Sequence, residues 1–337
     1  MMMFRGLVQR VQNSFLFSTA TEVRKKQLWC MVLIAVAIRL AVVAFLYPDR
    51  LDPQRDHFRF AYETGRVAGS IVQGQGFANP LYAETGPTAY IAPAYTYILA
   101  GIFKIFGIYT KASAIVALSL NGLISAATCL PIVFLARKSF GERMAVWSGW
   151  AWAFFPYAVY FPAEQIWETW LATLLLSLLL LMALHLEASS RSRTWISYGL
   201  LWGVAALTIP GMLIVLPFMS GWACYRLHQR RKQWFAPAAC AALAFVIATS
   251  PWFIRNYRTF HRIIPVRDNF GLEVRHGNNG DSSFPISWAA GPENNPAEWE
   301  QFKQLGEADY MAKKGRQARE FISRHPGSFV WLTVRRI

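Results

Sequence analysis

Long apolar runs recur along this chain, and short basic turns separate several of them. The runs lie at about 27–47, 93–107, 112–136, 144–161, 167–186, 195–209, 212–227 and 234–252. Inside a bilayer no water is available to the backbone, so such segments have to satisfy their hydrogen bonds as helices. The sequence therefore predicts an all-α multi-pass membrane protein.

Composition agrees with this fold class. Of the 337 residues, 54% are hydrophobic and only 16% are charged, which is too apolar for an ordinary soluble domain. The net charge of +15 could suggest a nucleic-acid partner. That interpretation needs the basic residues on one soluble face, whereas most of those outside the last third flank apolar runs, and we predict no nucleic-acid binding. The four cysteines lie within apolar runs and lack metal-ligand or disulfide spacing.

The distribution of basic residues predicts the topology. The basic arm 1–26 is expected on the cytoplasmic side, with no cleavable signal peptide. If every apolar run crossed, three later basic turns would fall outside. If 93–107 lies along the outer interface instead, all three become cytoplasmic, and this run is short and interrupted by Lys104. We predict a transmembrane domain over 27–252 with seven spans.

Two regions then face outward. The loop 48–111 is expected to hold one or two short helices lying flat on the membrane, because apolar and polar residues alternate there at helical spacing. The region 253–337 is expected to contain a glycine- and asparagine-rich loop at 271–292, followed by a short helix near 296–325.

Acidic residues in these outer regions are the candidates for catalysis. Asp56, followed by His57, lies in a loop flanked by arginines, and we interpret it as a catalytic carboxylate; an ordinary exposed loop aspartate is the alternative. Glu164 follows a span that ends on the same outer side. Glu168, one helical turn further on, competes with Glu164 for this role. Either glutamate could instead be a charge favoured by the dipole at a helix N-terminus.

Arginines follow the last span. Arg255 and Arg258 could grip the phosphate of a lipid substrate through paired N–H donors. The alternative is that they extend to ordinary lipid phosphates, as arginines at membrane borders do. His57 and His276 could join carboxylates around a divalent cation, but no spacing enforces this, and we assign no metal site.

Several motifs occur in an order that carries a family resemblance. They are Asp56, Gly74-Gln75-Gly76-Phe77, Pro93 before a tyrosine-rich segment, Phe106-Gly107 and Trp252-Phe253-Ile254-Arg255-Asn256-Tyr257. Together they resemble the membrane glycosyltransferases of the dolichyl-phosphate-mannose protein mannosyltransferase type. These are glycosyltransferase family 39 and its bacterial relatives, which include the lipid A aminoarabinose transferases.

The resemblance implies a GT-C-like helical bundle and an active site on the outer face. It matches Asp56 to the catalytic aspartate, although His57 stands where a glutamate is frequent, and Glu164 to a second acidic position. It matches Arg255 to an arginine that holds the donor phosphate. Ala92 departs from the pattern, since some relatives have a lysine there. Because relatives continue into further spans, we expect the same beyond residue 337 in a complete protein.

These features predict a transferase of the plasma membrane, or inner membrane of a bacterium, that takes a sugar from a polyprenyl-phosphate donor. Asp56 would act as general base, with Arg255 and Arg258 on the phosphate and with Glu164, Glu168 and His57 completing the site. Protein, lipid and glycan acceptors all remain open. A transporter or flippase of a lipid-linked sugar would share the apolar helices and the arginines, and a non-catalytic scaffold is the third alternative.

Overall fold

A computed structural model describes residues 25–45, 60–280 and 291–336. Within these ranges the regular structure is helical, and the extended backbone contributes only an isolated antiparallel bridge between Ala78 and Pro87. The predicted all-α fold class is confirmed.

The described helices follow the predicted apolar runs closely. They are α1 (Lys25–Phe45), α2 (Tyr62–Val72), α3 (Pro93–Phe106), α4 (Lys111–Ala127), α5 (Cys129–Phe140), α6 (Glu142–Phe154), α7 (Pro156–Glu164), α8 (Thr169–Leu186), α9 (Ser192–Thr208), a 3-10 helix (Pro210–Ile214), α10 (Leu216–Gln229), α11 (Phe235–Phe260), α12 (Phe270–Gly277), α13 (Pro296–Leu305), α14 (Glu307–Arg324) and α15 (Pro326–Arg335).

Four helical stretches in the described residues are long and apolar enough to cross a bilayer. They are Lys25–Phe45, Lys111–Phe140, Thr169–Leu186 and Phe235–Phe260. The run at 93–107 forms the 14-residue helix α3, shorter than these four. Its flat orientation and the total of seven spans stay predictions.

Prolines accompany one helix break inside a predicted span and one between two neighbouring spans. Within 144–161 the helix breaks between Phe154 and Pro156, and a 3-10 turn beginning at Pro210 precedes α10. Proline lacks a backbone N–H and disfavours helical geometry in the residue before it, so each break begins at the residue before the proline, Phe155 in one case and Ile209 in the other.

The chain divides into two compact units, Met1–Leu51 with Ile115–Leu181 and Asp52–Ala114 with Met182–Ile337. In the first unit Arg39 of α1 is 0% exposed. Its guanidinium donates to the carbonyl oxygens of Ala153 at 3.1 Å and Trp152 at 3.2 Å, and its Nε donates to Ser125 Oγ at 3.0 Å. The arginine inside an apolar helix thus faces protein, and it satisfies carbonyls at the break that precedes Pro156.

In the second unit α9 and α11 approach closely through glycines. A Cβ on Gly199 would lie 2.0 Å from the Ala241 carbonyl oxygen, and one on Gly203 would lie 2.4 Å from the Ala248 Cβ. Small residues of this kind let helix backbones pack tightly inside a membrane.

The remainder of the second unit has its own apolar core. Side chains from α2, the 77–92 segment, the end of α11 and the helices α12–α14 meet there; they include Val67, Phe77, Tyr90, Trp252, Leu272, Phe302 and Tyr310. The predicted loop at 271–292 is wrong in its first part, where α12 forms. The predicted short helix near 296–325 is two helices, because Gly306 adopts φ 75° between α13 and α14.

Candidate functional site

The structure places the predicted site residues in different parts of the chain. Asp56 and His57 lie outside the described residues. Glu164 and Glu168 belong to the first unit, whereas Arg255 and Arg258 belong to the second. The grouping of these side chains into one site therefore stays a prediction.

The two competing glutamates occupy different positions on their helices. Glu164 is the last residue of α7, while Glu168 lies outside that helix and directly precedes α8, where its carbonyl accepts from the Ala172 N–H at 2.9 Å. Placing Glu168 one turn further along the same helix was wrong, because α7 ends at Glu164. The helix-dipole interpretation fits Glu168, whereas the C-terminal end of α7 disfavours the charge of Glu164. Glu164 therefore needs a reason other than the dipole for its position.

Arg255 holds the segment that links α2 to α3 through hydrogen bonds. Its Nη2 donates to the Phe77 carbonyl at 2.8 Å, and its Nη1 donates to the Thr88 carbonyl at 2.6 Å and to Asn256 Oδ1 at 2.9 Å. These bonds hold both ends of the 77–88 segment from one guanidinium. They leave the Nε–H and one Nη2–H of the arginine for any further acceptor.

Aromatic rings fix the same guanidinium. The Arg255 Cζ lies 4.9 Å from the ring centre of Trp252, 5.4 Å from that of Phe77 and 5.7 Å from that of Phe260. Arg258, on the same helix, has an exposed side chain. Arg255 is thus rigidly positioned, while Arg258 is a surface cation.

A pair of buried carboxyl groups lies beside the Thr88 end of this segment. Glu307, the first residue of α14, accepts from Thr88 Oγ1 at 2.6 Å and from the Ala89 N–H at 2.5 Å. The Asp268 N–H donates to the Ala89 carbonyl at 3.0 Å. Burial raises the pKa of Asp268 to about 7, and burial together with the charge of Asp268 raises the pKa of Glu307 well above its usual range. This carboxyl pair retains a proton near neutral pH.

A second acidic cluster surrounds the start of α2. The Tyr62 hydroxyl donates to Glu293 Oε2 at 2.9 Å, and the Arg66 guanidinium lies 3.7 Å from the ring centre of Tyr82. Burial, and then the charge of Glu293, raises the pKa of Glu63 to about 8. Burial also raises the pKa of Glu293, against the hydrogen bond from Tyr62, which lowers it. Carboxyl groups that stay protonated at neutral pH can serve as general acids where a substrate reaches them.

Sequence reasoning missed these acidic residues. Glu63, Asp268, Glu293 and Glu307 stand in no motif and share no spacing. The only signal available was their position in the aromatic-rich regions outside the long apolar runs. That signal marks a region of the chain and no particular side chain.

The described residues contain no group of three or more His, Cys, Asp or Glu side chains suited to a metal ion. His276 is 4% exposed, and burial and then the charge of Lys314 lower its pKa to about 4, so its imidazole is neutral near pH 7. A divalent cation at His57, to which we assigned no site, is not tested, because His57 lies outside the described residues.

Comparison with known proteins bears on the middle of the chain. Residues 90–254 match the family described as dolichyl-phosphate-mannose-protein mannosyltransferase. Over these residues, just under half of the chain, the protein is similar to the GT-C membrane glycosyltransferases of glycosyltransferase family 39. This similarity supports a membrane glycosyltransferase of the general class that uses polyprenyl-phosphate sugar donors. No curated protein and no solved structure matches the chain at a significant level.

The matched segment begins just before α3 and ends within α11. It contains Glu164 and Glu168, and it stops one residue before Arg255. The resemblance that the motifs indicated is confirmed for this segment. The roles of Asp56 and Arg255 stay predictions.

Proposed function

We propose that this protein is an inverting glycosyltransferase that moves a sugar from a polyprenyl-phosphate donor to an acceptor on the outer face of the plasma membrane or bacterial inner membrane, with Asp56 as general base. The observation that carries the proposal is the family match over residues 90–254. Within an all-α protein with candidate membrane helices, that match explains why a lipid-linked donor would be used.

In the proposed reaction the Asp56 carboxylate takes the proton of the acceptor hydroxyl or amine. The acceptor oxygen or nitrogen bonds to the anomeric carbon as the bond from that carbon to the phosphate oxygen breaks. The anomeric configuration inverts, and polyprenyl phosphate leaves with the bond electrons.

Arg255 would stabilise the charge that grows on the departing phosphate. Its three hydrogen bonds to protein acceptors support this role, because a guanidinium that is already fixed keeps its remaining N–H groups in one orientation. Arg258 would add a second cation at the phosphate. Glu164 would orient the acceptor, and its position at the dipole-disfavoured end of α7 supports a functional reason for that carboxylate.

The decisive experiment compares Asp56→Asn with Asp52→Asn, a nearby aspartate as matched control. Membranes that express each variant receive polyprenyl-phosphate sugars labelled in the sugar, and release of polyprenyl phosphate and labelling of acceptors are followed. We expect Asp56→Asn to lose about 10²–10⁴-fold in rate, with unchanged expression and thermal stability, and Asp52→Asn to stay near wild type. Full activity in Asp56→Asn would exclude Asp56 as the base.

A transporter or flippase is a separate outcome of the same experiment. It would move the labelled donor across the membrane without releasing polyprenyl phosphate. Arg39, the buried cation that a transport pathway would need, donates to Ala35, Ser125, Trp152 and Ala153 instead. This favours the transferase.

A further inference from the structure

The second unit contains a surface pocket of about 380 Å³ that the reaction scheme does not use. It is lined by Leu81, Tyr82, Pro292, Glu293, Asn294, Asn295, Pro296 and Trp299. We propose that this pocket binds a neutral sugar ring and that the acceptor of the transferase is therefore a glycan. The identification of the bound sugar as an acceptor rests on the proposed function. The binding itself can be tested without catalysis.

The first argument is the pair of aromatic side chains in the lining, each held by its neighbours. Tyr82 is 67% exposed, yet the Arg66 guanidinium packs 3.7 Å from its ring centre and the Tyr62 ring meets it edge-on at 6.0 Å. Trp299 is partly buried and stacks on Phe302 at 5.8 Å with an interplanar angle of 7°. Rigid rings offer apolar area at little cost in conformational entropy, which suits the C–H face of a sugar.

The second argument is the polar part of the lining. Glu293 presents a carboxyl group whose Oε2 already accepts from the Tyr62 hydroxyl at 2.9 Å, which fixes its orientation. Asn294 is exposed and carries both an amide donor and an acceptor. Hydroxyl groups both donate and accept, so a sugar can use a carboxyl group and an amide at once. A few fixed polar groups within a mainly apolar wall are the usual makeup of a small-molecule pocket, and its volume lies in the roughly 300–1,000 Å³ typical of such pockets.

The third argument concerns charge. Among the described residues, the lining has no lysine or arginine of its own, and Glu293 is its acidic side chain. Arg66 and Lys303 pack over the rings of Tyr82 and Trp299, and burial raises the pKa of Glu293, which favours its neutral form. The polar groups that the lining itself offers therefore suit the hydroxyl groups of a neutral glycan.

The test is direct binding measured by saturation-transfer NMR on the protein in lipid nanodiscs, since maltoside detergents would themselves supply sugars. The probes are maltose, cellobiose and mannobiose. We expect saturation transfer to the ring protons of at least one disaccharide, weakened by about tenfold or more in Tyr82→Ala and Trp299→Ala. Phe270→Ala is the matched control, because Phe270 is a 77% exposed aromatic residue of the same unit outside the pocket, and it should bind as wild type does.

The outcomes separate this inference from the proposed function. Asp56→Asn should bind the disaccharide normally while losing transfer. If the protein binds a disaccharide but cleaves no donor, the sugar-binding pocket is supported and the proposed transferase activity is contradicted. No saturation transfer from any disaccharide, equal binding in Tyr82→Ala, binding only of a short-chain polyprenyl-phosphate sugar, or binding of a proline-rich peptide instead would each overturn the glycan-acceptor inference.

Discussion

In the first unit Arg39 supplies the hydrogen-bond donor that Pro156 lacks. A proline at 156 has no N–H for the carbonyl four residues earlier, and Arg39 Nη2 donates to that carbonyl, of Trp152, at 3.2 Å. The Phe155 N–H adds a longer bond to the same oxygen at 3.3 Å. The helix break leaves a carbonyl that needs a donor, and the buried Arg39 side chain provides one.

We expect Arg39→Met to destabilise the protein strongly. The change removes the side-chain donor of the Ala153 carbonyl, at a cost on the order of 1–3 kcal/mol, and leaves the Trp152 carbonyl with only the longer bond from the Phe155 N–H. Thermal unfolding of the purified protein measures the effect. Lys104→Met, which removes an exposed cation from α3, is the control and should change the Tm little. Equal Tm values for the two variants would contradict the pairing of Arg39 with the break.

Gly199→Ala should disrupt the packing of α9 on α11. The added methyl group would lie 2.0 Å from the backbone oxygen of Ala241, which cannot move aside without shifting a helix. We expect the free energy of unfolding to fall by about 1–3 kcal/mol or more, which would be seen as a lower Tm and a reduced yield of folded protein. Gly221→Ala is the matched control, because a Cβ there meets nothing within 4 Å. A stabilised Gly199→Ala protein would show that the helices are less closely packed.

Arg255→Lys separates structural support from phosphate binding. Lysine keeps the charge but cannot donate simultaneously to Phe77, Thr88 and Asn256 in the same planar geometry. We expect both a lower Tm and a lower rate of donor cleavage. Arg258→Lys, on the exposed side of the same helix, should leave the Tm unchanged. If Arg255→Lys loses activity at an unchanged Tm, the arginine acts on the donor and is not needed to stabilise the 77–88 segment.

The carboxyl pair predicts a fall in stability with rising pH. Burial raises the pKa of Asp268 from 3.8 to about 7, so across this window the folded protein binds more protons than the unfolded chain does. Stability conferred by the protonated pair is therefore complete at the acidic end and is lost as the pH rises through the folded pKa.

Asp268→Asn cannot ionise and should flatten this dependence. The measurement is the Tm across the same pH window, where the wild-type protein should lose several degrees more than the variant. Glu300→Gln, which neutralises an exposed carboxylate whose side chain is 60% exposed, is the control. An unchanged slope in Asp268→Asn would show that Asp268 does not hold the proton.

The candidate site was only partly predictable. Arg255 was recognisable from its place at the end of an apolar run, but its bonds to Phe77 and Thr88 were not. Glu164 and Glu168 could not be told apart until the end of α7 was known, because the helix dipole acts on them oppositely. Pro162 lies inside α7, so neither the helix end at Glu164 nor its dipole could be located from the proline pattern.

The sequence by itself determined the fold class, the positions of the long helices and the family resemblance. Apolar length and proline placement are local properties, and a bilayer leaves the backbone few alternatives to a helix. The tertiary structure decided which polar groups meet. Thr88 joins Arg255 across 167 positions and Glu307 across 219, and contacts at such separations depend on how helices pack, which no local spacing encodes.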